Sequence, residues 1–527
     1  MTPLDDSSKP LGVAVDLSVL GPGGENGGIK PFLFETLRWL GRQTRVPLRF
    51  FYLTCSRTHV DVRGELARPG DEVVCVRDIG GPLPRGDERV PRERRCVPPP
   101  ADLLWRLGAR VLYCPFGTTE YATPGVPTIS TVVDVLHRDF PWTLGPVHNA
   151  ERERAFQAML AVTDVLQCNS EHVVERMREH YGVEQARTFT VYNVVHERLT
   201  NFPPDDGEEV RSGPFFFYPA NSWKHKNHET LLLAYGMYRA GVLAAGNVPW
   251  PLVFTGHEDE RWAELRDLAE TLGLLGEGKA RFLGYVPARV LGRLWRTAGA
   301  LVFPSLHEGF GIPMLEAMAH DVPILCSRDG SLPEVGADTC LFADARKPEA
   351  LAEGMARLAT DGALRKRLAE AGRRRLADFS QDHEAGKLLD VMATLANTTT
   401  PYRQQVRGVF PDGWTEGSAL LAMPDVQTGG QPVGGRLTLR FDPMPLPRRL
   451  RLRAGRFVAL GGFDLPVDHR DYEVAVDLRP DGSPLLLEVP DAANLNPADG
   501  RAHGVRLAAA TLRLPDGQEW PLFNVVR

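Results

Sequence analysis

Two glutamates bracket a glycine-rich turn in the stretch Ser305-Leu-His-Glu308-Gly309-Phe310-Gly311-Ile312-Pro313-Met-Leu-Glu316-Ala-Met-Ala. The apolar run Ala300–Phe303 reads as a strand leading into it. Pro313 suits the first turn of a helix, where its missing N–H would have no partner anyway. Gly309 and Gly311 permit positive φ and close backbone approach. The first amides of such a helix favour anions, phosphates above all. Carboxylates for hydroxyls and amides for a diphosphate together suit a sugar nucleotide. The plainer reading is an acidic helix start that complements the helix dipole. It fits Glu316, expected in the first turn, better than Glu308, which precedes the turn.

Other candidates are cationic or glycine-rich. Only eight of the 61 basic residues are lysines, and three of them, Lys30, Lys224 and Lys226, fall in suggestive segments. Chance placement is the alternative. The loop Gly21-Pro-Gly23-Gly24-Glu-Asn-Gly27-Gly28-Ile-Lys30 can approach a diphosphate through its backbone. A simple turn, with Lys30 on a solvated first helical turn, explains it equally. Its spacing is not the dinucleotide GxGxxG, which disfavours hydride transfer.

Elements must hold these residues. Leu11–Leu20 reads as a buried strand, followed by the glycine loop and a helix carrying Phe32, Leu33, Leu37 and Leu40 at helical spacing. Further strands are expected at Leu48–Leu53, Glu72–Val76, Val111–Cys114, Thr128–Val133, Val165–Cys168 and Thr188–Tyr192. Ser170 is placed to cap the helix Glu171–Tyr181. The polar, proline-rich stretch 202–214 reads as a linker. A second series follows at Phe215–Tyr218, Leu252–Thr255, Ala280–Leu283, Ala300–Phe303 and Pro323–Cys326. Two doubly wound α/β halves are therefore expected, 1–202 and 203–400. The pattern then changes. Residues 402–527 contain neither lysine nor cysteine. Alternating runs such as Arg436–Arg440, Arg449–Leu452, Glu473–Leu478 and Ala509–Leu514 are divided by Pro-Asp-Gly turns. This predicts a β-sandwich over 401–527.

Composition narrows the function. The 527 residues are 43% hydrophobic and 24% charged with a net charge of −6, an ordinary globular balance and a poor one for gripping nucleic acid in bulk. No stretch approaches the roughly 18 apolar residues of a membrane span. The polar start, with Asp5 and Asp6, reads as no signal peptide. Seven scattered cysteines form no CxxC, so reduced thiols, a cytoplasmic setting and no metal site are expected.

The Glu308-to-Glu316 element within PSLHEGFGIPMLEAMA resembles the signature of family-4 retaining glycosyltransferases of the GT-B fold. The resemblance continues through Gly330-Ser-Leu-Pro-Glu334-Val, Leu252-Val-Phe-Thr-Gly256, Arg281-Phe-Leu-Gly284-Tyr285-Val286 and Pro219-Ala-Asn221-Ser-Trp-Lys224-His-Lys226-Asn227. It spans 11–395 in order. EGFGIPMLEAMA and GSLPEV resemble the mannosyl- and rhamnosyltransferase-like branch. The resemblance implies that Glu308 contacts the donor sugar, that Glu316 holds the ribose hydroxyls, and that the amides of Phe310, Gly311 and Ile312 meet sugar and diphosphate. Lys226 would neutralise the leaving diphosphate. The family usually has an Arg shortly before that lysine; here Lys224 or Asn221 would replace it. Gly256 belongs to the donor side, and Tyr285 and Val286 would lie near the nucleobase, although a core role for Tyr285 is as consistent. Related enzymes often have His-Asp where Val133-Asp134 stand; Asp134 would contact the acceptor hydroxyl or donor sugar, and His137 the acceptor. Both have plainer readings, as a strand-end turn aspartate and a loop histidine. Another departure is Asp321, where the family usually has Gly.

The reaction so implied is metal-independent, retaining transfer of a hexose from a nucleotide sugar to a saccharide or lipid-linked acceptor in bacterial surface-polysaccharide synthesis. GDP-mannose is the first donor the branch implies, with UDP- and dTDP-linked sugars open. The final helix, near 381–396, is expected to pack back on the first half. A sugar-nucleotide epimerase, a glycogen-synthase-like polymerase and a non-catalytic glycan-binding scaffold remain alternatives on the same fold. GWTE at 413–416 and the segment 494–501 resemble accessory jelly-roll segments, which would bind glycan or a partner; a packing or oligomerisation domain reads as well. Trp414 and Trp520 are stacking platforms or core. The arginines from Arg85 to Arg110 would face anionic lipid at the inner face of the inner membrane, or form a solvated loop with Asp87, Glu88 and Glu93. Oligomeric state stays open.

Overall fold

The computed structural model describes residues 9–22, 29–78, 99–194, 213–397, 405–424, 433–454, 458–468, 470–478, 484–493, 495 and 502–525. The glycines Gly23, Gly24, Gly27 and Gly28, and the arginines Arg85–Arg95, lie outside them.

The first half is a parallel sheet whose central strands are buried along their length, as strands covered by helices on both faces are. Its strands are β1 (Leu11–Leu17), β2 (Leu48–Cys55), β3 (Glu72–Arg77), β4 (Val111–Cys114), β5 (Thr128–Val132), β6 (Val165–Cys168) and β7 (Thr188–Thr190), in the order β3-β2-β1-β4-β5-β6-β7. The second half repeats the plan with β8 (Phe216–Pro219), β9 (Leu252–Thr255), β10 (Ala280–Phe282), β11 (Ala300–Phe303), β12 (Ile324–Ser327) and β13 (Cys340–Ala343), in the order β10-β9-β8-β11-β12-β13. In both sheets the order reverses beside the first strand, so the crevice outside the strand C-termini is where a ligand is expected.

The chain then returns. The helix Gln381–Asn397 lies against the first lobe: Trp39 donates to Asp382 at 2.5 Å, Arg45 pairs with Asp390 at 2.6 Å, and the Tyr192 amide donates to the buried Glu384 carboxylate at 2.7 Å.

The remaining chain folds as two packed antiparallel sheets, β14 (Val406–Val409), β15 (Thr415–Leu421), β20 (Leu485–Glu488), β17 (Arg448–Ala454) and β18 (Val458–Leu465) against β19 (Arg470–Leu478), β16 (Val433–Phe441), β21 (Leu507–Arg513) and β22 (Glu519–Asn524). Leu437, Leu439, Phe441, Leu450, Leu452, Leu485, Leu487, Leu507 and Leu512 face inward at alternate positions to form its core. Gly413 and Gly517 take φ of 86° and 87°, the left-handed angles that the Pro-Asp-Gly turns demand. Trp414 is partly buried against this core, edge-on to His503 at 5.1 Å, and Trp520 is 37% exposed on edge strand β22.

This sandwich docks on the first lobe. Arg407 of β14 donates to the carbonyls of Glu120 at 2.5 Å and Ala122 at 3.1 Å and lies over the Tyr121 ring. The Ala101 amide donates to Ser418 Oγ at 3.1 Å. Arg106, one of the residues of the arginine-rich stretch, is committed to Asp102 at 2.7 Å and Glu488 at 3.8 Å. Among the described residues no helix is long and apolar enough to cross a membrane.

Candidate active site

The site grows from the C-terminal ends of β8 and β11. Tyr218 ends β8 fully buried, and its hydroxyl donates to the Lys226 carbonyl at 2.6 Å while lying 3.3 Å from Ser305 Oγ. The Leu306 amide donates to the His225 carbonyl at 2.7 Å. Asn227 takes a left-handed φ of 62° and sends its amide nitrogen to the carbonyls of Pro304 and Ala345, at 3.2 and 2.8 Å. Two loops far apart in sequence are thereby knitted together. Their charged ends meet: Lys226 Nζ donates to Glu308 Oε1 at 2.6 Å, with side chains only 18% and 11% exposed.

Glu308 is fixed from behind as well. Its carbonyl accepts from Ser331 N and Ser331 Oγ at 3.1 and 3.0 Å. Gly330 takes φ of 62°, and a Cβ there would sit 2.7 Å from the Glu308 carbonyl oxygen and 2.8 Å from its amide nitrogen, so only glycine fits. The two motif glycines divide their duties. Gly311 uses the angle, with φ of 99°; Gly309 uses the space, since a Cβ there would overlap the Val133 carbonyl of the opposite lobe and lie 3.2 Å from Asn169 Nδ2.

The helix that follows is Ile312–Ala319, with Pro313 in its first turn. Its first amides have no partner within the helix. Glu316 is the fifth residue, one past the first turn in which the sequence reading placed it, and is buried. The run Gly311-Ile312-Pro313 shifts the start by a residue, because Gly311 serves as the left-handed cap. Phe310 packs on Tyr192 of the first lobe, with ring centroids 5.7 Å apart.

On the facing wall, Asp134 stands just beyond β5. Arg152 pairs with it at 2.5 Å and the Leu136 amide donates to it at 2.8 Å. Burial pushes its pKa up, but Arg152, His307, that amide and His225 outweigh burial and hold it below the usual range. Asp134 and Glu308 both act on His225 and His307, so the two carboxylates face one cleft. His137 is placed differently from an exposed acceptor contact. It is buried between Phe156 and Tyr181, its Nε2 is 2.7 Å from the Tyr181 hydroxyl, and burial followed by Arg152 lowers its pKa to about 4.

The remaining candidates line the donor-side loops. Lys224 and Asn221 are exposed, and Asn221 Oδ1 accepts from the His257 amide at 3.0 Å. Gly256 is there for space, since a Cβ would overlap the Ala220 carbonyl and approach Asn221 N to 3.2 Å. Tyr285 is 74% exposed beside the half-buried Val286, so it is no core residue. Lys30 sits in the first turn of the helix Ile29–Arg42, 5.6 Å from the Phe34 ring.

Two cross-lobe contacts escaped the sequence reading. Glu334 of the GSLPEV segment accepts from the amides of Glu171 and His172 at 2.8 and 2.9 Å, seating a carboxylate on the N-terminus of a helix in the other lobe. The same helix start also keeps its Ser170 cap, whose hydroxyl accepts from Val173 N at 3.2 Å. Asp139, His172 and His307, from three remote stretches, converge beside Glu308, with one potential ligand atom of each within 4.8 Å of the others. No local spacing marks such a group.

Comparison with known proteins places this geometry. The curated O-antigen chain mannosyltransferase B of Escherichia coli is 36% identical over 134 residues, 25% of this chain and 35% of that protein. The chain spans about a third of the length of the curated relatives it matches. Among solved structures, sucrose-phosphate synthase from Thermosynechococcus elongatus superposes with a TM-score of 0.53 at 18% identity, covering 73% of this chain and 99% of that one. Anabaena HepE in complex with UDP-glucose gives 0.53 at 14% identity, covering 73% and 100%. The fold is GT-B, two Rossmann-like halves facing a cleft with antiparallel β-sheets after them, and residues 205–375 match the family model Glycosyl transferases group 1.

Proposed function

We propose that this protein is a retaining glycosyltransferase, moving a hexose, mannose first, from a nucleoside diphosphate sugar to a saccharide or lipid-linked saccharide in bacterial surface-polysaccharide synthesis. The observation that carries the reading is the Lys226–Glu308 pair at 2.6 Å, set at a helix start in the cleft between the two sheets. The matched relative named for mannose transfer supports the sugar, and the neighbour holding UDP-glucose keeps the nucleotide open.

The mechanism follows from charge. The bond from the anomeric carbon to the diphosphate oxygen breaks, leaving negative charge on the phosphate. Lys226 and the amides of Phe310, Gly311 and Ile312 stabilise it, and the ammonium is already held in place by Glu308, so little reorganisation is needed. Glu308 orients the sugar and faces the positive charge developing on its ring. The acceptor oxygen attacks from the same face, and its proton passes to the leaving phosphate oxygen. Asp134 orients that acceptor or the sugar, Glu316 holds the ribose hydroxyls, and Lys224 or Asn221 stands where the family's arginine would. Tyr285 and Val286 border the base. No step in this scheme requires a metal ion. The reaction belongs at the cytoplasmic face of the inner membrane, and the β-sandwich binds the growing glycan or an assembly partner.

A panel of GDP-, UDP- and dTDP-sugars, screened by thermal shift and then by turnover with product anomer analysis, tests the reading. Turnover with retention is expected for one donor. Full transferase activity in Glu308→Ala, or an inverted product, would overturn it.

A further inference from the structure

We propose that Asp139, His172 and His307 form a binding site for one divalent cation of the zinc class, spanning the two lobes. The three offer ligand atoms within 4.8 Å of one another. A tetrahedral zinc ion with bonds of about 2.0–2.1 Å places its ligand atoms about 3.4 Å apart, so small side-chain rotations suffice. One pair is already there: Asp139 Oδ2 and His307 Nδ1 lie 3.5 Å apart, with side chains 8% and 4% exposed. The Nε2 atom of His172 is buried without a hydrogen-bond partner, a costly state for a ring nitrogen that a ligand would relieve.

The surroundings suit the ion. Arg176 donates to Asp139 Oδ1 at 2.9 and 2.7 Å, and His180 Nε2 lies 2.7 Å from the same oxygen. They orient the carboxylate and leave Oδ2 toward His307, as outer partners of a metal ligand do. Two imidazoles and one carboxylate, with a fourth position for water, select zinc over magnesium or calcium.

The placement gives the site a consequence. Asp139 and His172 belong to the first lobe; His307 belongs to the second and directly precedes Glu308. A bound ion would hold that loop against the opposite wall. It would be a regulatory clamp beside the transfer site, outside the chemistry proposed above. Its test reads metal, not turnover, so its failure and that of the transferase reading are separable.

The full chain is titrated with Zn2+ against a chromophoric chelator, and with Co2+ for its visible spectrum. One equivalent is expected, with the intense bands of four-coordinate Co2+. His172→Ala and His307→Ala should each weaken binding about a hundredfold or more, while exposed His383→Ala changes nothing. Binding retained in the first two variants, or absent in the wild type, overturns the site. Should those variants fail to fold, zinc-edge X-ray absorption on the wild-type chain decides. A shell with two imidazoles supports the site; a sulfur shell or one without imidazole refutes it.

Discussion

Gly309→Ala separates lobe contact from every other property of the site. Gly309 has a backbone conformation that alanine also adopts, so the change adds no backbone strain. What it adds is a methyl group facing the other lobe. Its carbon would sit 2.9 Å from the Val133 carbonyl carbon and 3.2 Å from Asn169 Nδ2, and would overlap the carbonyl oxygen itself. Carbon atoms pack at about 3.5–4.0 Å. Neither neighbour is the flexible end of a long side chain: one is backbone at the end of β5, and the other belongs to a buried asparagine. The lobes must therefore part by about 1 Å at this point. A displacement of that size at a reacting centre costs about a hundredfold in rate, or about 2.7 kcal/mol of transition-state stabilisation.

Within the second lobe nothing clashes, so the fold should survive. The expected outcome is a fall in kcat/KM of about a hundredfold with a melting temperature within about 2 °C of wild type. Nucleotide affinity, measured by calorimetry with the nucleoside diphosphate alone, should change less than kcat/KM, because under the proposed function that ligand rests on the second lobe. Steady-state kinetics with the donor found in the panel makes the comparison. Undiminished kcat/KM in Gly309→Ala would show that the contact between Gly309 and Val133 plays no part in catalysis, and the whole assignment of the lobe interface as the working arrangement would fail.

Lys226→Met removes the cation and leaves Glu308 without its partner; kcat should fall by about a hundredfold to a thousandfold, and a fall confined to KM would contradict a role at the leaving group. Glu334→Ala strips the carboxylate from two amides across the lobes, a loss of about 1–3 kcal/mol. It should raise the donor concentration needed for half-maximal rate and expand the particle in small-angle scattering; an unchanged scattering profile would refute the clamp. Asp16 is fully buried, and burial lifts its pKa to about 6 despite hydrogen bonds from Ser18 and Thr118. A raised carboxyl stabilises the fold below its unfolded pKa of 3.8, and that contribution is lost as pH rises toward about 6. The stability of Asp16→Asn relative to wild type should thus improve by about 3 kcal/mol between about pH 3 and about pH 7, read from denaturant unfolding; a pH-independent difference would count against it. Arg407→Ala should loosen the sandwich from the first lobe, visible as faster proteolytic separation of the two, with transfer to short acceptors intact.

Much of this architecture is legible in the sequence because it is local. The run Ala300–Phe303, the glycine turn and Pro313 announce strand, loop and helix by composition alone, and the structure has them within a residue or two. Pro-Asp-Gly at 411–413 and 515–517 likewise declares its turns. Glu308 and Lys226 could each be singled out, but their contact could not. It depends on Tyr218 and Asn227, whose side chains donate to backbone carbonyls of the loops that carry the two residues, 82 positions apart, and on the Ser305 hydroxyl beside Tyr218. A hydroxyl or amide that serves a distant carbonyl leaves no periodicity and no spacing.

The least legible features lie where elements remote in sequence meet, and that follows from what fixes them. His137 looked like a loop residue in the segment 134–141, yet Phe156 and Tyr181 bury it, which only the packing of two later helices determines. His307 drew no reading of its own beside Glu308, yet Asp139 and His172 approach it from the other lobe. Glu334 stood only within the GSLPEV resemblance, yet it caps a different helix across the cleft. These residues share one property: each is polar and is approached only by elements remote in sequence, and His307 and Glu334 are approached across the lobes. A cleft that closes on polar contacts exchanges hydrogen bonds with water at little net cost, so closure can be reversed, as turnover requires. An apolar seam of the same extent would hold the lobes shut. The polar contacts of His307 and Glu334 across the cleft, beside the aromatic contact of Phe310 with Tyr192, are the part of the molecule that hydrophobic patterning cannot reveal.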